Sequence, residues 1–397
     1  MEAKTTQPGP RRDLYSRFCR GFVLLLGVLA AALVLLEILP RLIALPGLSD
    51  DDLKPRYLAP NTERTEAHPY LAYRERPDWN SRREDYKVAS RFTQTHHNSL
   101  GFRGPETTWE KPDGVYRIVC VGGSSTYGHT ESSDATTWPA RLQAHLSQLR
   151  PDRKFEVING GASGYSTFES LINLQLRLID FRPDLVIYYE GINDVRCALY
   201  PDPVNDNIHF RAVWPVFRPS PFEKQFESSY VYLIWRRYFT TYLDQRATLG
   251  FSGIVNFDGL NYADGRKDGY CLSDPPEQGF KNFQRNLVSI IAIARAHGAQ
   301  MLLATQAMRF SDIAGAASRE TQTAAIERMK QIIREIAAER QVPLVDAAPV
   351  IEAAAAAQVA AGGPDTIFGH EVHLLDAGSD LLAKTIADGI VAQQIIP

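Results

Sequence analysis

From Tyr116 onward the chain alternates short apolar runs with longer amphipathic ones, and this alternation restricts the fold more than any other feature of its 397 residues. RIVCVGG, FEVIN, DLVIYYEG, MLLATQ and VPLVDA are brief, rich in β-branched residues and bounded by turn formers, as buried strands are. Between and after them TWPARLQAHLSQL, FESLINLQLRLI, NFQRNLVSIIAIARAHG and AAIERMKQIIREIAAER carry helical spacing, the third closed by Gly298. Two more helical patterns complete the C-terminus. Strands that are apolar throughout need cover on both faces, and helices between them make them parallel. The expected class is α/β, a parallel sheet between two helical layers. A net charge of −3 and a pI near 6.3 give no general attraction to nucleic acid.

Ahead of that domain lies GFVLLLGVLAAALVLLEILPRL. Between Gly21 and Leu39 its only charge is Glu37, and such a helix spans about 28 Å at 1.5 Å per residue. Arg11, Arg12, Arg17 and Arg20 precede it and Asp50, Asp51 and Asp52 follow, so the remainder of the chain is expected to face outward, periplasmic or otherwise extracytoplasmic. A cleaved signal peptide is the rival reading, although the small residues Ala30, Ala31 and Ala32 sit inside the apolar run rather than at its end. Either reading exports the domain. The expected divisions are a basic N-terminus (1–20), a signal-anchor helix (21–45), a linker and extended pre-domain segment (46–114), and the α/β domain (115–397).

The α/β domain is interrupted at about 197–276, too long for an ordinary loop. Its aromatics, among them Trp214, Phe217, Tyr230, Tyr232 and Trp235, suit a small subdomain with its own core or the wall of a cleft. Cys197 and Cys271 flank it and are either a disulfide or two unrelated thiols. Cys19 and Cys120 read as unpaired.

Sites in open α/β sheets form beyond the carboxyl ends of the strands. Four segments qualify: Gly122-Gly123-Ser124-Ser125, Asn159-Gly160-Gly161-Ala162-Ser163-Gly164, Gly191-Ile192-Asn193-Asp194 and His370-Glu371-Val372-His373. Together they have the parts for acyl transfer. A serine hydroxyl needs a histidine base, and the tetrahedral oxyanion needs preorganised donors. Ser124 can offer hydroxyl and backbone N–H, Gly164 a backbone N–H, and Asn193 its amide. Singly, each segment is more often a turn or a cap.

The stretch from RIVCVGGSSTYG through VINGGASGYST and DLVIYYEGINDV to EVHLLDAG resembles the SGNH (GDSL-type) hydrolases in all four signature blocks, over about residues 98–395. NSLGFRGPE before the first strand resembles the membrane-anchored or exported members. The resemblance implies a flavodoxin-like three-layer fold, Ser124 as nucleophile, Ser124, Gly164 and Asn193 as oxyanion donors, and His373 as general base. Asp194 is expected to steady the loop carrying Asn193. Arg103 is expected in a structural ion pair rather than in the cleft. The resemblance implies no cofactor.

Two positions depart from the family. Gly123 replaces the aspartate of Gly-Asp-Ser, and His370 replaces the aspartate three residues before the catalytic histidine. A histidine cannot stabilise an imidazolium as a carboxylate does. Three outcomes follow: a backbone carbonyl orients His373, Glu371 or Asp365 substitutes, or activity is low. His370 and His373 lack the i, i+4 spacing of a zinc helix, and His96 and His97 have no acid or cysteine at ligand spacing, so no metal site is expected. The expected function is hydrolysis of an O-acetyl or short acyl ester on an extracytoplasmic carbohydrate, with acylated polysaccharide and the membrane as partners. The alternatives are an O-acyltransferase using the same residues, or a catalytically weak glycan-binding protein of the same fold.

Overall fold

The computed structural model describes residues 10–43, 64–199 apart from 69, 72 and 85–91, then 205, 225–235 apart from 227, 277–309 and 316–397. The chain divides into two compact units, Met1–Asn61 with Pro219–Ile254, and Thr62–Arg218 with Val255–Pro397.

In chain order the first elements are α1 (Pro10–Leu42), β1 (Thr65–Ala67), β2 (Tyr73–Glu75), β3 (Asn80–Glu84) and β4 (Phe92–His96). Next come β5 (Val115–Val121), the single turn α2 (Ser124–Tyr127), α3 (Trp138–Leu149), β6 (Lys154–Asn159), α4 (Thr167–Asn173), β7 (Leu185–Tyr189) and α5 (Ile192–Leu199). After α6 (Tyr230–Trp235) follow α7 (Glu277–Ala296), β8 (Gln300–Ala304), α8 (Ala316–Arg340) and β9 (Leu344–Val345). The chain ends with α9 (Ala348–Ala360), β10 (Phe368–His370), β11 (His373–Leu374) and α10 (Asp376–Ala392).

The smaller unit holds the apolar helix. Arg17–Leu42 has a mean hydropathy of 2.9 and none of its apolar window is buried, a length and composition that suit a membrane span or a signal sequence. Its C-terminal end carries Glu37, which accepts bonds from the Ser229 hydroxyl at 2.9 Å and the Val231 N–H at 3.1 Å. Arg41 donates to the Ser228 carbonyl at 2.6 Å and lies over the Tyr230 ring. A carboxylate is thus seated on the first turn of α6, where unpaired backbone N–H groups favour negative charge.

The larger unit is built on the sheet order β6-β5-β7-β8-β9, parallel throughout. Alternate residues of each strand point to opposite faces. Val119, Val121, Val186, Tyr188 and Leu303 face one core, filled by Phe283, Leu287 and Ile290 of α7 and Ile326, Met329 and Ile333 of α8. Ile118, Cys120, Ile187 and Leu302 face the other, with Trp138 and Leu142 of α3, Ile351 of α9 and Ile386 of α10. This is the three-layer α/β/α arrangement that the alternation in the sequence demands. The chain steps from β5 to β6 on one side and then to β7 on the other. The switch in strand order therefore lies between β5 and β7, where a crevice opens beyond the strand ends.

Two differences from the sequence pattern are local. FESLINLQLRLI is not one α-helix: α4 passes into a π turn at Leu174–Leu178 and a 3-10 turn at Ile179–Phe181. The pre-domain segment forms two antiparallel pairs, β1–β2 and β3–β4. Phe102 belongs to the first core, and buried Glu75 pairs with Arg64 at 3.2 Å and accepts from Ser163 N–H at 3.4 Å. Cys197 is buried on α5, and Cys271 lies outside the described residues, as does most of the 197–276 insertion.

Candidate active site

β5 ends at Val121, Gly122 and Gly123 turn the chain, and Ser124 opens α2. This puts Ser124 at the switch point, nearly buried, with its hydroxyl 2.7 Å from His373 Nε2. His373 arrives from the hairpin β10–β11, whose two-residue loop is Glu371-Val372. In that hairpin His370 and His373 are a direct cross-strand pair, which brings side chains of facing residues together. His370 Nε2 lies 2.5 Å from His373 Nδ1, with the rings nearly perpendicular at 83°.

Two tautomer pairs satisfy such an N···N contact. Only the one in which His373 Nδ1–H donates to His370 Nε2 leaves His373 Nε2 open to take the serine proton. In that tautomer pair a neutral imidazole stands where a carboxylate usually does. Asp365 is placed elsewhere: it pairs with Arg309 at 2.6 Å and accepts the N–H groups of Ile367 and Phe368. The Glu371 backbone carbonyl accepts the Arg309 backbone N–H at 2.6 Å.

The other two segments close on the same point. Gly164 has a φ of +79°, a left-handed conformation that glycine adopts without a Cβ penalty. Asn193, buried on the first turn of α5, donates from Nδ2 to the Tyr165 carbonyl at 2.9 Å. Asp194 does more than steady its own loop. It accepts the Thr167 N–H at 2.8 Å and hydroxyl at 2.5 Å, tying α5 to the start of α4. Burial pushes its carboxyl up to about 7, against the pull of those two donors and with the nearby Glu190 adding to the rise. Arg103 forms the expected ion pair, with Asp134 at 2.7 Å, and donates to the Gly128 carbonyl just past α2.

Several residues that frame the site were given no role in the sequence reading. Ser125 donates to the Val372 carbonyl at 3.2 Å and accepts from Gln306 Nε2 at 2.7 Å. Gln306 in turn accepts the Ile192 N–H at 2.8 Å. One chain of bonds therefore joins the histidine hairpin, the serine turn and the asparagine helix. The His129 ring sits 5.0 Å from that of His373, centroid to centroid. Glu190 accepts the Gly123 N–H at 2.9 Å. The available signal was position: Glu190 and Gln306 are polar residues at the ends of otherwise apolar strand runs.

With this geometry in place, residues 120–381 match the family described as GDSL-like lipase/acylhydrolase. The chain belongs to that family. Like the SGNH/GDSL enzymes it is a serine carboxylic ester hydrolase, built on a parallel sheet with flanking helices. Similar solved structures include LAE5, an α/β hydrolase from the metagenome of Lake Arreo, Spain, at 16% identity and a TM-score of 0.41, covering 69% of this chain and 94% of that one. Another is Axe2, an acetylxylan esterase from Geobacillus stearothermophilus, at 15% identity and a TM-score of 0.41 over the same shares. No curated protein matches the chain.

Proposed function

We propose that this GDSL-like esterase works through an acyl-enzyme on Ser124, with His373 as general base and then general acid. The observation that carries the reading is the continuous contact from Ser124 Oγ to His373 Nε2 and from His373 Nδ1 to His370 Nε2. As the serine oxygen attacks the ester carbonyl, its proton moves to His373. The imidazolium so formed shares its Nδ1 proton with His370, and the carbonyl oxygen takes the negative charge among the backbone N–H groups of Ser124 and Gly164 and the Asn193 amide. His373 then protonates the leaving alcohol, and water repeats the sequence in reverse to release the acid.

The proposed substrate is an O-acetyl or other short acyl ester on a carbohydrate outside the cytoplasm. Polar side chains stand near Ser124, namely His129, His370 and Asn193, and they suit a hydroxylated scaffold better than an acyl chain. The location rests on the arginines before the apolar helix and the aspartates after it. The test is release of acetate from O-acetylated oligosaccharides by the full chain in detergent, beside release of fatty acid from long-chain esters. Acetate release that disappears in Ser124→Ala is the expected result. Preference for long-chain esters would contradict the substrate reading, and acyl groups recovered on an acceptor sugar would make the protein a transferase.

A further inference from the structure

Gly123 stands where the family's nucleophile turn has an aspartate, and the space beside it is already filled. A Cβ on Gly123 would lie 2.4 Å from Glu190 Oε2, 2.6 Å from Asn193 Nδ2 and 2.8 Å from the Tyr165 carbonyl oxygen. No side chain fits there. Glu190 is the residue directly after β7 and is fully buried. Its Oε2 accepts the Gly123 N–H at 2.9 Å, and its Oε1 accepts the N–H groups of Gly191 at 3.1 Å and Asn193 at 3.4 Å. One carboxylate therefore grips, with its two oxygens, the turn that presents Ser124 and the turn that presents Asn193.

We infer that Glu190 is the positioning residue for this site, a carboxylate supplied from the neighbouring strand end in place of the missing turn aspartate, fixing Ser124 relative to Asn193. The inference rests on the reading of Ser124 as nucleophile. A carboxylate suits the task because all three partners are N–H donors and an ionised carboxylate is acceptor only. A glutamine would aim an NH2 at one of those N–H groups and lose that bond. Burial raises the Glu190 carboxyl, and the three N–H groups act in the opposite direction. The glycine and the glutamate form one device: Gly123 leaves the room that the Glu190 carboxylate occupies.

A carboxylate that only held the fold together would lower stability when altered without changing the reactivity of Ser124. The experiment therefore reads reactivity. The full chain in detergent is treated with a fluorophosphonate, and the rate of covalent labelling at Ser124 is followed by mass spectrometry in wild type, Glu190→Gln and Gly123→Ala. Steady-state kcat and KM are measured with p-nitrophenyl acetate, and folding by circular dichroism. Labelling and kcat are expected to fall about 10- to 100-fold in both variants, the scale of a small misplacement, with KM within about twofold. Wild-type labelling in folded Glu190→Gln, or a raised KM with kcat kept, overturns the inference. Should Glu190→Gln not fold, Glu190→Asp decides, since it keeps the charge but draws the carboxylate back from the Gly123 and Asn193 N–H groups: slow labelling in the folded protein supports the inference, and wild-type labelling overturns it. A wild type that is not labelled at Ser124 refutes the nucleophile reading instead, and this inference with it.

Discussion

At the residue scale, His370 sets how strongly the base can be held. On the proposed mechanism a neutral imidazole accepts the His373 Nδ1–H without adding negative charge, whereas a hydrogen bond to a carboxylate gains about 1 kcal/mol more than one between neutral groups. His370→Asp is accordingly expected to raise kcat about fivefold, by better stabilising the imidazolium. His370→Ala should lower it about tenfold or more, since nothing then selects the productive tautomer. Both are read from initial rates on p-nitrophenyl acetate at pH 8, and equal rates in wild type and His370→Ala would remove His370 from the mechanism. The sequence marks position 370 as a departure but cannot reveal its use. That depends on the register of a hairpin only five residues of strand in extent, which pairs His370 with His373 and leaves Asp365 to Arg309.

At the element scale, the five strands of the parallel sheet and the helices α3, α7, α8, α9 and α10 were legible because their period and length leave few alternatives, whereas α5 and the short hairpin β10–β11 were not. The π and 3-10 turns after α4 were not, since Leu174–Phe181 keeps an apolar pattern that a plain helix would also show. Nor were the bonds between elements. Gln306 joins the end of β8 to both α2 and α5, and no local pattern announces a contact between residues so far apart in sequence. Gln306→Leu leaves the buried Ser125 hydroxyl short of a donor and the Ile192 N–H without its acceptor. An unsatisfied buried group costs about 1–3 kcal/mol, so urea unfolding should show a loss of about 2–5 kcal/mol. A loss below about 0.5 kcal/mol, the range of neutral surface changes, would contradict this account of how the elements are joined.

For the molecule as a whole, the buried acids link stability to pH. Asp194 titrates near 7 in the folded protein and near 4 when unfolded, so across that window the folded state binds the extra proton. Its contribution is fully present below about pH 4 and is lost as pH rises through about 7. Asp194→Asn should therefore become progressively more stable relative to wild type between those limits. Unfolding midpoints of both proteins measured across the window check this, and a constant difference would contradict it. The overall plan was readable from sequence because four spaced blocks and one apolar helix are each long or distinctive. The two compact units were not, because the segment that joins α1 is separated from it by the whole stretch from β1 to α5.

The measurement that bears most directly on the account is turnover of p-nitrophenyl acetate by the full chain in detergent, comparing wild type with Ser124→Ala and His373→Ala. The account predicts measurable turnover in wild type and a loss of about a thousandfold or more in each variant, with circular dichroism unchanged. Turnover retained in Ser124→Ala would contradict it, because no acyl-enzyme could then form at that serine.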